Sequence, residues 1–259
     1  MELRQNIESA AREAGEIIIH ASNILECISE KGSDKNLVTE YDKKVQTFLE
    51  KRLHEILPEA KFLGEENHED AFHDEYSTGW LFVIDPIDGT SNFIFGYRPS
   101  VTSIALFKDG EPYAGIVYNP YSDEMFSAEK GHGAAKNGKP IHTSLLPLKK
   151  SLVSFGTSPY YTDQDIHRAF EAAYSYMPKC VDVRRSGAAA WDICQVACGV
   201  TGLFFEPVLQ LWDYAAAGLI LMEAGGRLTD FSGNPLSFRG ASAVVAASEG
   251  TAREAYLPL

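Results

Sequence analysis

Apolar residues recur at helical spacing through the first part of the chain. Ile7, Ala10, Ala11, Ala14, Ile17, Ile18, Ala21, Ile24, Leu25 and Ile28 fall on one face, which predicts one long amphipathic helix. The polar stretch Gly32-Ser33-Asp34-Lys35-Asn36 breaks it. A second helix is expected from about Thr39, with Val45, Phe48, Leu49, Leu53 and Ile56 on its inner face and Pro58 near its end. Phe62-Leu63 then reads as a short strand running into the acidic loop Gly64-Glu65-Glu66-Asn67. Residues 81–84, four apolar positions of which three favour strands, predict a buried strand. Residues 103–107, 113–118 and 124–128 read as an antiparallel meander, with turns at Asp109-Gly110, Asn119-Pro120 and Asn137-Gly138. Beyond a seam near 145–150 the pattern alternates. Strands at 152–155, 181–183, 203–205, 227–229 and 243–247 are interleaved with helices at 165–176, 188–198 and 213–224. That alternation predicts a mixed sheet covered by helices. Residues 1–148 thus form an α+β half and residues 149–259 an αβ half, expected to fuse into one unit.

Composition narrows the classes. The chain has 259 residues, 45% of them hydrophobic, enough for a large core. Its 23 basic and 36 acidic side chains give a net charge of −13, which argues against a nucleic-acid-coating surface. An anionic ligand would therefore need local help from cations. Cys27, Cys180, Cys194 and Cys198 show no paired zinc-type spacing, and the last two fall one helical turn apart like core thiols. The charged, amphipathic N-terminus lacks a signal-peptide core, and no apolar run is long enough to span a bilayer. A cytoplasmic protein without nucleic-acid or membrane partners is expected.

The candidate chemistry centres on Asp85-Pro86-Ile87-Asp88-Gly89-Thr90-Ser91-Asn92-Phe93. Pro86 biases Asp85 toward an extended conformation, placing its carboxylate at the C-terminal edge of the strand. Gly89 permits close backbone approach, and Thr90 or Ser91 can open a helix whose free N–H groups attract an anion. Carboxylates beside an anion-binding turn need a cation between them, and magnesium suits oxygen ligands and phosphates. Two further acidic sites follow apolar segments. Glu65 and Glu66 alone would read as a solvated loop, and Asp213, opening the helix with Ala215-Ala216-Ala217-Gly218, alone would read as a helix cap. No Ser–His or Cys–His pairing suggests covalent catalysis.

Taken together, G-E-E-N, D-P-I-D-G-T-S-N-F and W-D-Y-A-A-A-G…E-A-G-G resemble the inositol monophosphatase family, and Leu37-Val38-Thr39-Glu40-Tyr41-Asp42 is similar to its L-V-T-x-x-D motif. The resemblance runs from about residue 5 to about residue 250. It implies a five-layer αβαβα sandwich of the inositol monophosphatase and fructose bisphosphatase type. It also implies a magnesium-dependent, lithium-sensitive phosphatase that forms a homodimer and hydrolyses the phosphate monoester of a small polyol or sugar by attack of a metal-activated water. By that resemblance Glu65, Asp85 and the Ile87 carbonyl hold a first magnesium, Asp85, Asp88 and Asp213 a second, and Glu65 with waters a third. Gly89 and Thr90 hold phosphate through backbone N–H groups, while Thr90, paired with Asp42, orients the attacking water. Glu65, Thr90 and Asp42 are the implied catalytic residues, though Thr39-x-x-Asp42 also reads as a capping box. Lys31 matches a lysine that the family brings near the metals.

The same resemblance assigns the substrate side to Asp88, Gly89, Thr90, Gly187, Ala189, Glu206 and Asp213, with Glu206 meeting a ring hydroxyl. Ala188 stands where a hydroxyl residue is common, and Pro207-Val208-Leu209-Gln210-Leu211 differs from the animal enzymes' polar loop, so inositol selectivity is open. Arg184 and Arg185 either meet a second phosphate or pair with surface acids. Histidinol-phosphate, fructose-1,6-bisphosphate and NADP phosphatases are the rivals within the class. A non-catalytic metal- or phosphate-binding module is the rival outside it.

Overall fold

The computed structural model describes residues 2–30, 37–67 and 74–255; Lys31 lies outside them. Helix α1 (Glu2–Ile19) stops short of the expected Ile28. Asn23 takes a left-handed conformation (φ 53°), and a single 3-10 turn, Ile24–Cys27, follows. Strand β1 (Ile28–Glu30) then pairs antiparallel with β2 (Leu37–Thr39). Ile24 and Ile28 still pack against the core beneath α1, so their burial mimicked a helical period that the backbone does not follow. Leu25, which the expected stripe placed between them, is 66% exposed. Helix α2 (Glu40–Ile56) opens on a reciprocal capping box between Thr39 and Asp42.

A seven-stranded sheet follows. Its strands, in spatial order, are β3 (Lys61–Gly64), β4 (Trp80–Asp88), β5 (Val101–Lys108), β6 (Glu111–Asn119), β7 (Glu124–Glu129), β8 (Ala134–Lys136) and β9 (Lys139–Ile141), with the short helix α3 (Thr90–Phe95) between β4 and β5. Only the β3–β4 pair is parallel. In the second half come β10 (Leu152–Phe155), α4 (Asp163–Tyr176), β11 (Asp182–Arg184), α5 (Ala189–Ala197), β12 (Leu203–Leu209), α6 (Leu211–Glu223), β13 (Arg227–Thr229) and β14 (Ser242–Ala247). Their five-stranded sheet has the order β11-β10-β12-β14-β13, with β10, β11 and β12 parallel. Among the described residues no helix is long and apolar enough to cross a membrane.

Side-chain alternation assigns the layers. In β4, Phe82 and Ile84 join the core under α1 and α2, whereas Leu81 and Val83 join the core around α5 and α6. In β12, Phe204 faces that central helical layer while Leu203 and Phe205 pack against α4. The order is helices α1 and α2, seven-stranded sheet, helices α5 and α6, five-stranded sheet, helix α4. This is the expected αβαβα sandwich. Helix α6 is apolar on nearly every side because it has a sheet on both faces. Its small residues let it approach β6 closely: a Cβ on Gly115 would lie 2.4 Å from the Ala216 carbonyl oxygen.

Candidate active site

Strand β4 is longer than its apolar run predicted, because it continues through Pro86 to Asp88. Proline has no N–H for the ladder, and the register to β5 shifts between Asp85 and Asp88. The bulge is pinned where Thr102 Oγ1 donates to the Pro86 carbonyl at 2.9 Å. It leaves Asp85 and Asp88 at the edge where β4 meets the starts of α5 and α6. The Ile87 N–H donates to Asp85 Oδ1 at 3.0 Å, fixing that carboxylate to its own turn.

Asp88 reaches across to α5. Its Oδ1 accepts the Ala189 N–H at 3.1 Å and its Oδ2 the Ala190 N–H at 2.8 Å. Ala188, at the cap position of α5, offers no side-chain acceptor, so Asp88 from the other half caps that helix. Asp213 sits in the first turn of α6, where Oδ2 accepts the Gln210 N–H at 2.7 Å. Gln210, not Asp213, is the cap residue of α6; Asp213 is its capping-box partner three residues on, and it also lines the cleft with the other carboxylates.

The turn that opens α3 supplies the next part. Gly89 holds φ 85°, and a Cβ there would meet Ala188 and the carbonyls of Gly187 and Pro99. Thr90 Oγ1 lies 3.1 Å from the Ile87 carbonyl and 3.1 Å from Asp42 Oδ1. Its single hydrogen can satisfy only one of them at a time. Asp42 divides its oxygens likewise: Oδ2 accepts the Thr39 N–H at 2.7 Å and the Thr39 hydroxyl at 2.6 Å, leaving Oδ1 for Thr90. The capping box and the Asp42–Thr90 pair coexist. Burial raises Asp42 to about 6 against the pull of Thr39, with Glu65 and Glu66 adding to the rise.

Glu65 is set from α2. Gln46, one turn after Asp42, accepts the Glu66 N–H at 2.9 Å through Oε1. Its Nε2 donates to Asn67 Oδ1 at 2.9 Å and to Glu50 Oε1 at 3.0 Å. A Cβ at Gly64 would fall 2.5 Å from the Gln46 amide, so the strand end needs glycine for this clamp to form. One helix therefore positions both Asp42 and the turn carrying Glu65.

A cleft of about 170 Å³ gathers Glu65, Asp85, Ile87, Asp88, Gly89, Thr90, Gly187, Ala189, Glu206 and Asp213 along its walls. Asp42 stands behind Thr90. The residues that the sequence assigned to metal, phosphate, water and substrate thus lie in or directly behind one cavity, while Lys31 is outside the described residues. Burial, then the charges of Glu65, Asp88 and Asp213, raise Asp85 well above the usual carboxylate range. Burial, then Glu65 and Asp88, do the same for Asp213. Burial raises Asp88 to about 7, opposed by the α5 amides. Among the described residues no three His, Cys, Asp or Glu side chains are already drawn into a closed metal cage. The fit to a metal rests instead on the donor set: four mutually repelling carboxylates and a backbone carbonyl, all hard oxygen donors, facing one cavity.

The opposite wall corrects one expectation. Glu206 is not beyond a strand ending at Phe205; it lies within β12, which runs to Leu209 with a register shift against β14 after Glu206. It is buried against Gly156, where a Cβ would collide with its carboxylate, and Tyr161 Oη donates to Oε1 at 3.0 Å. Burial raises Glu206 to about 8, with Tyr161 and Arg185 opposing and Asp88 and Asp192 assisting. The two arginines separate. Arg184 pairs with Asp182 on the surface, whereas Arg185 lines the cleft and donates from Nη2 to the Thr157 carbonyl at 2.7 Å.

Four further cleft residues were not singled out from the sequence. Tyr160 and Tyr161 roof the cleft with rings edge to face at 5.4 Å. Tyr160 is 49% exposed, yet burial of its hydroxyl end and the charges of Asp213, Glu65 and Glu206 raise it to about 12. Asp192 accepts from Ser186 Oγ at 2.6 Å, and burial raises it to about 7. Asn92 Nδ2 donates to the carbonyls of Pro99 (2.7 Å) and Ser186 (2.9 Å), tying the α3 turn to the segment before α5. Asn92 stands inside the Asp-Gly-Thr-Ser-Asn string and was the one within reach of sequence reasoning.

The sequence model of the Inositol monophosphatase family matches residues 2–259. Inositol monophosphatase 2 of Solanum lycopersicum is 37% identical over 228 residues, covering 87% of this chain and 86% of that protein. A Nus factor SuhB of Xylella fastidiosa is 33% identical over 226 residues, covering 86% and 80%. Among solved structures, inositol monophosphatase-II from Staphylococcus aureus superposes with a TM-score of 0.82 at 28% identity, over 99% of this chain and 96% of that one. An inositol monophosphate-bound SaIMPase-II superposes with a TM-score of 0.81 at 29% identity, over 99% and 94%.

Proposed function

The chain belongs to the inositol monophosphatase family, whose members hydrolyse phosphoric monoesters, and from that premise we propose that it is a magnesium-dependent phosphatase of small polyol or sugar phosphates. The observation that carries this reading is the convergence of Glu65, Asp85, Asp88 and Asp213 on one cleft whose far wall holds Glu206. Glu65, Asp85, Asp88, Asp213 and the Ile87 carbonyl would hold two or three magnesium ions. Bound there, such ions lower the pKa of water toward neutrality and offset charge on the leaving oxygen.

The chain's own groups do the rest. Thr90 Oγ1 donates its hydrogen to Asp42 Oδ1 and presents its lone pairs to the attacking water, which it orients. Gly89 and Thr90 offer backbone N–H groups to the phosphate oxygens, with φ 85° at Gly89 turning the backbone toward the cleft. Asp88 caps α5 and so holds the two halves of the site in register. Glu206, fixed by Tyr161 and Gly156, meets a hydroxyl of the leaving group. We place the enzyme in the cytoplasm as a homodimer.

The test is release of inorganic phosphate from a panel of inositol, sugar, histidinol and nucleotide phosphates, with magnesium and with a chelator. Turnover of at least one polyol or sugar ester that the chelator abolishes is expected. Release from none, or release indifferent to the chelator, would overturn the proposal.

A further inference from the structure

Among the described residues six carboxylates line the cleft, Glu65, Asp85, Asp88, Asp192, Glu206 and Asp213, and a single cationic residue, Arg185, stands among them. Four of the six belong to the proposed metal cluster. Arg185 belongs to the other end, because its charge is felt by Glu206 and Asp192. We propose that Arg185 is the contact for a second anionic group on the leaving portion of the substrate, so that this phosphatase prefers esters carrying an additional phosphate or carboxylate. The inference rests on the phosphatase reading above and adds the class of leaving group.

Three observations carry it. First, Arg185 is held in place yet uncommitted. One of its five N–H donors is given to the Thr157 carbonyl, and among the described residues it makes no ion pair. Its neighbour Arg184 is consumed by Asp182, so the pair does not simply neutralise surface acids. Second, the tether joins two elements that form the wall. Arg185 follows β11 and Thr157 follows β10, parallel neighbours whose C-terminal ends open on the cleft, the edge of such sheets where ligands bind. Third, the two carboxyls on its side of the cleft have other partners. Tyr161 Oη donates to Glu206 Oε1 at 3.0 Å and Ser186 Oγ to Asp192 Oδ2 at 2.6 Å, and neither carboxyl forms an ion pair with the permanently charged guanidinium. A neutral polyol would leave those free N–H donors to water, whereas an anionic oxygen pair matches the planar fork.

Matched substrate pairs test this: fructose 1,6-bisphosphate against fructose 1-phosphate, and glycerate 2-phosphate against glycerol 2-phosphate. The ratio of kcat/KM within each pair is read for the wild type, Arg185→Ala, Arg185→Lys and, as a control, Arg184→Ala. The wild type should favour the member with the extra anion by about ten- to a hundredfold, the effect of one charge-assisted contact. Arg185→Ala should bring the ratio near one, Arg185→Lys should restore part of it, and Arg184→Ala should leave it as in the wild type. The pair that shows the preference identifies phosphate or carboxylate as the group recognised. A wild-type ratio of one or less in both pairs, or a ratio that survives in Arg185→Ala, would overturn the proposal. So would a ratio changed only together with the mass in solution, since Arg185 would then act through a subunit contact. Titration calorimetry on the same pairs reads the preference without turnover. A chain that releases no phosphate would refute the phosphatase reading, while the binding ratio would still decide for or against Arg185.

Discussion

Replacing Asp42 by Asn should make the protein more stable and much less active. Asp42 is buried and its folded pKa is about 6, above the ordinary 3.8 expected in the unfolded chain. A group raised in this way contributes its full stability below about pH 4 and loses it as pH rises through the folded pKa. At pH 8 the ionised side chain therefore destabilises the fold by about 3 kcal/mol relative to its protonated form. Asparagine carries no charge, and the geometry accommodates it. Its oxygen can accept from the Thr39 N–H and hydroxyl in place of Oδ2, while its NH₂ faces Thr90. Thr90 must then accept from that NH₂ and turn its own hydrogen to the Ile87 carbonyl, losing the lone-pair orientation proposed for the water. Turnover should fall by about 10²–10⁴, the usual worth of a positioned proton acceptor. Urea unfolding in a chelator should show a gain of about 2–3 kcal/mol over wild type at pH 8 that vanishes at pH 4. A variant less stable than wild type at pH 8 would refute the burial argument, and one keeping more than about a tenth of the activity would refute the role of Thr90.

Other perturbations separate the remaining parts of the site. Gln46→Leu removes the clamp on the Glu65–Asn67 turn, so magnesium affinity measured by calorimetry should weaken about 10- to 100-fold, as for other outer-sphere groups; unchanged affinity would make Gln46 a packing residue only. Glu206→Ala should lower kcat/KM for a polyol phosphate relative to p-nitrophenyl phosphate by about ten- to a hundredfold, and equal losses on both would remove it from the specificity site. Lithium, small enough for a magnesium position but singly charged, should inhibit at millimolar concentration and more strongly with saturating substrate; indifference in a magnesium-dependent assay would place the protein in another branch of the family.

The strand–helix alternation of the second half was legible in the sequence, but the five layers came from the family resemblance: β4 and β12 are buried on both faces and α6 on nearly every side, and the pattern does not say what each side meets. The end of α1 was not legible, because Ile24 and Ile28 pack partly buried against the core from a 3-10 turn and a strand that happen to keep helical spacing. The acidic half of the site could be read from Asp85 to Thr90, where proline, glycine and two carboxylates leave few conformations open. Of the opposite wall, Glu206 and Arg185 could be named, the use of Arg185 staying open. Tyr160, Tyr161 and Asp192 could not, because they come from a loop and a helix start that meet only after both sheets are formed. Glu206 was placed past its strand because Pro207 reads as a strand end, whereas β12 absorbs it beside a register shift.

The central claim is that a buried acidic cluster exists to hold divalent cations, and equilibrium magnesium binding tests it most directly. Calorimetric titration of the metal-free protein at pH 7.5 should show at least two ions per chain, with protons released from carboxyls that burial and mutual repulsion keep raised. Asp85→Asn, which removes the carboxylate that the other three surround, should bind fewer ions, each more weakly, while its circular dichroism stays that of the wild type. A wild type that takes up no magnesium, or an Asp85→Asn variant that binds it as well, would contradict the account.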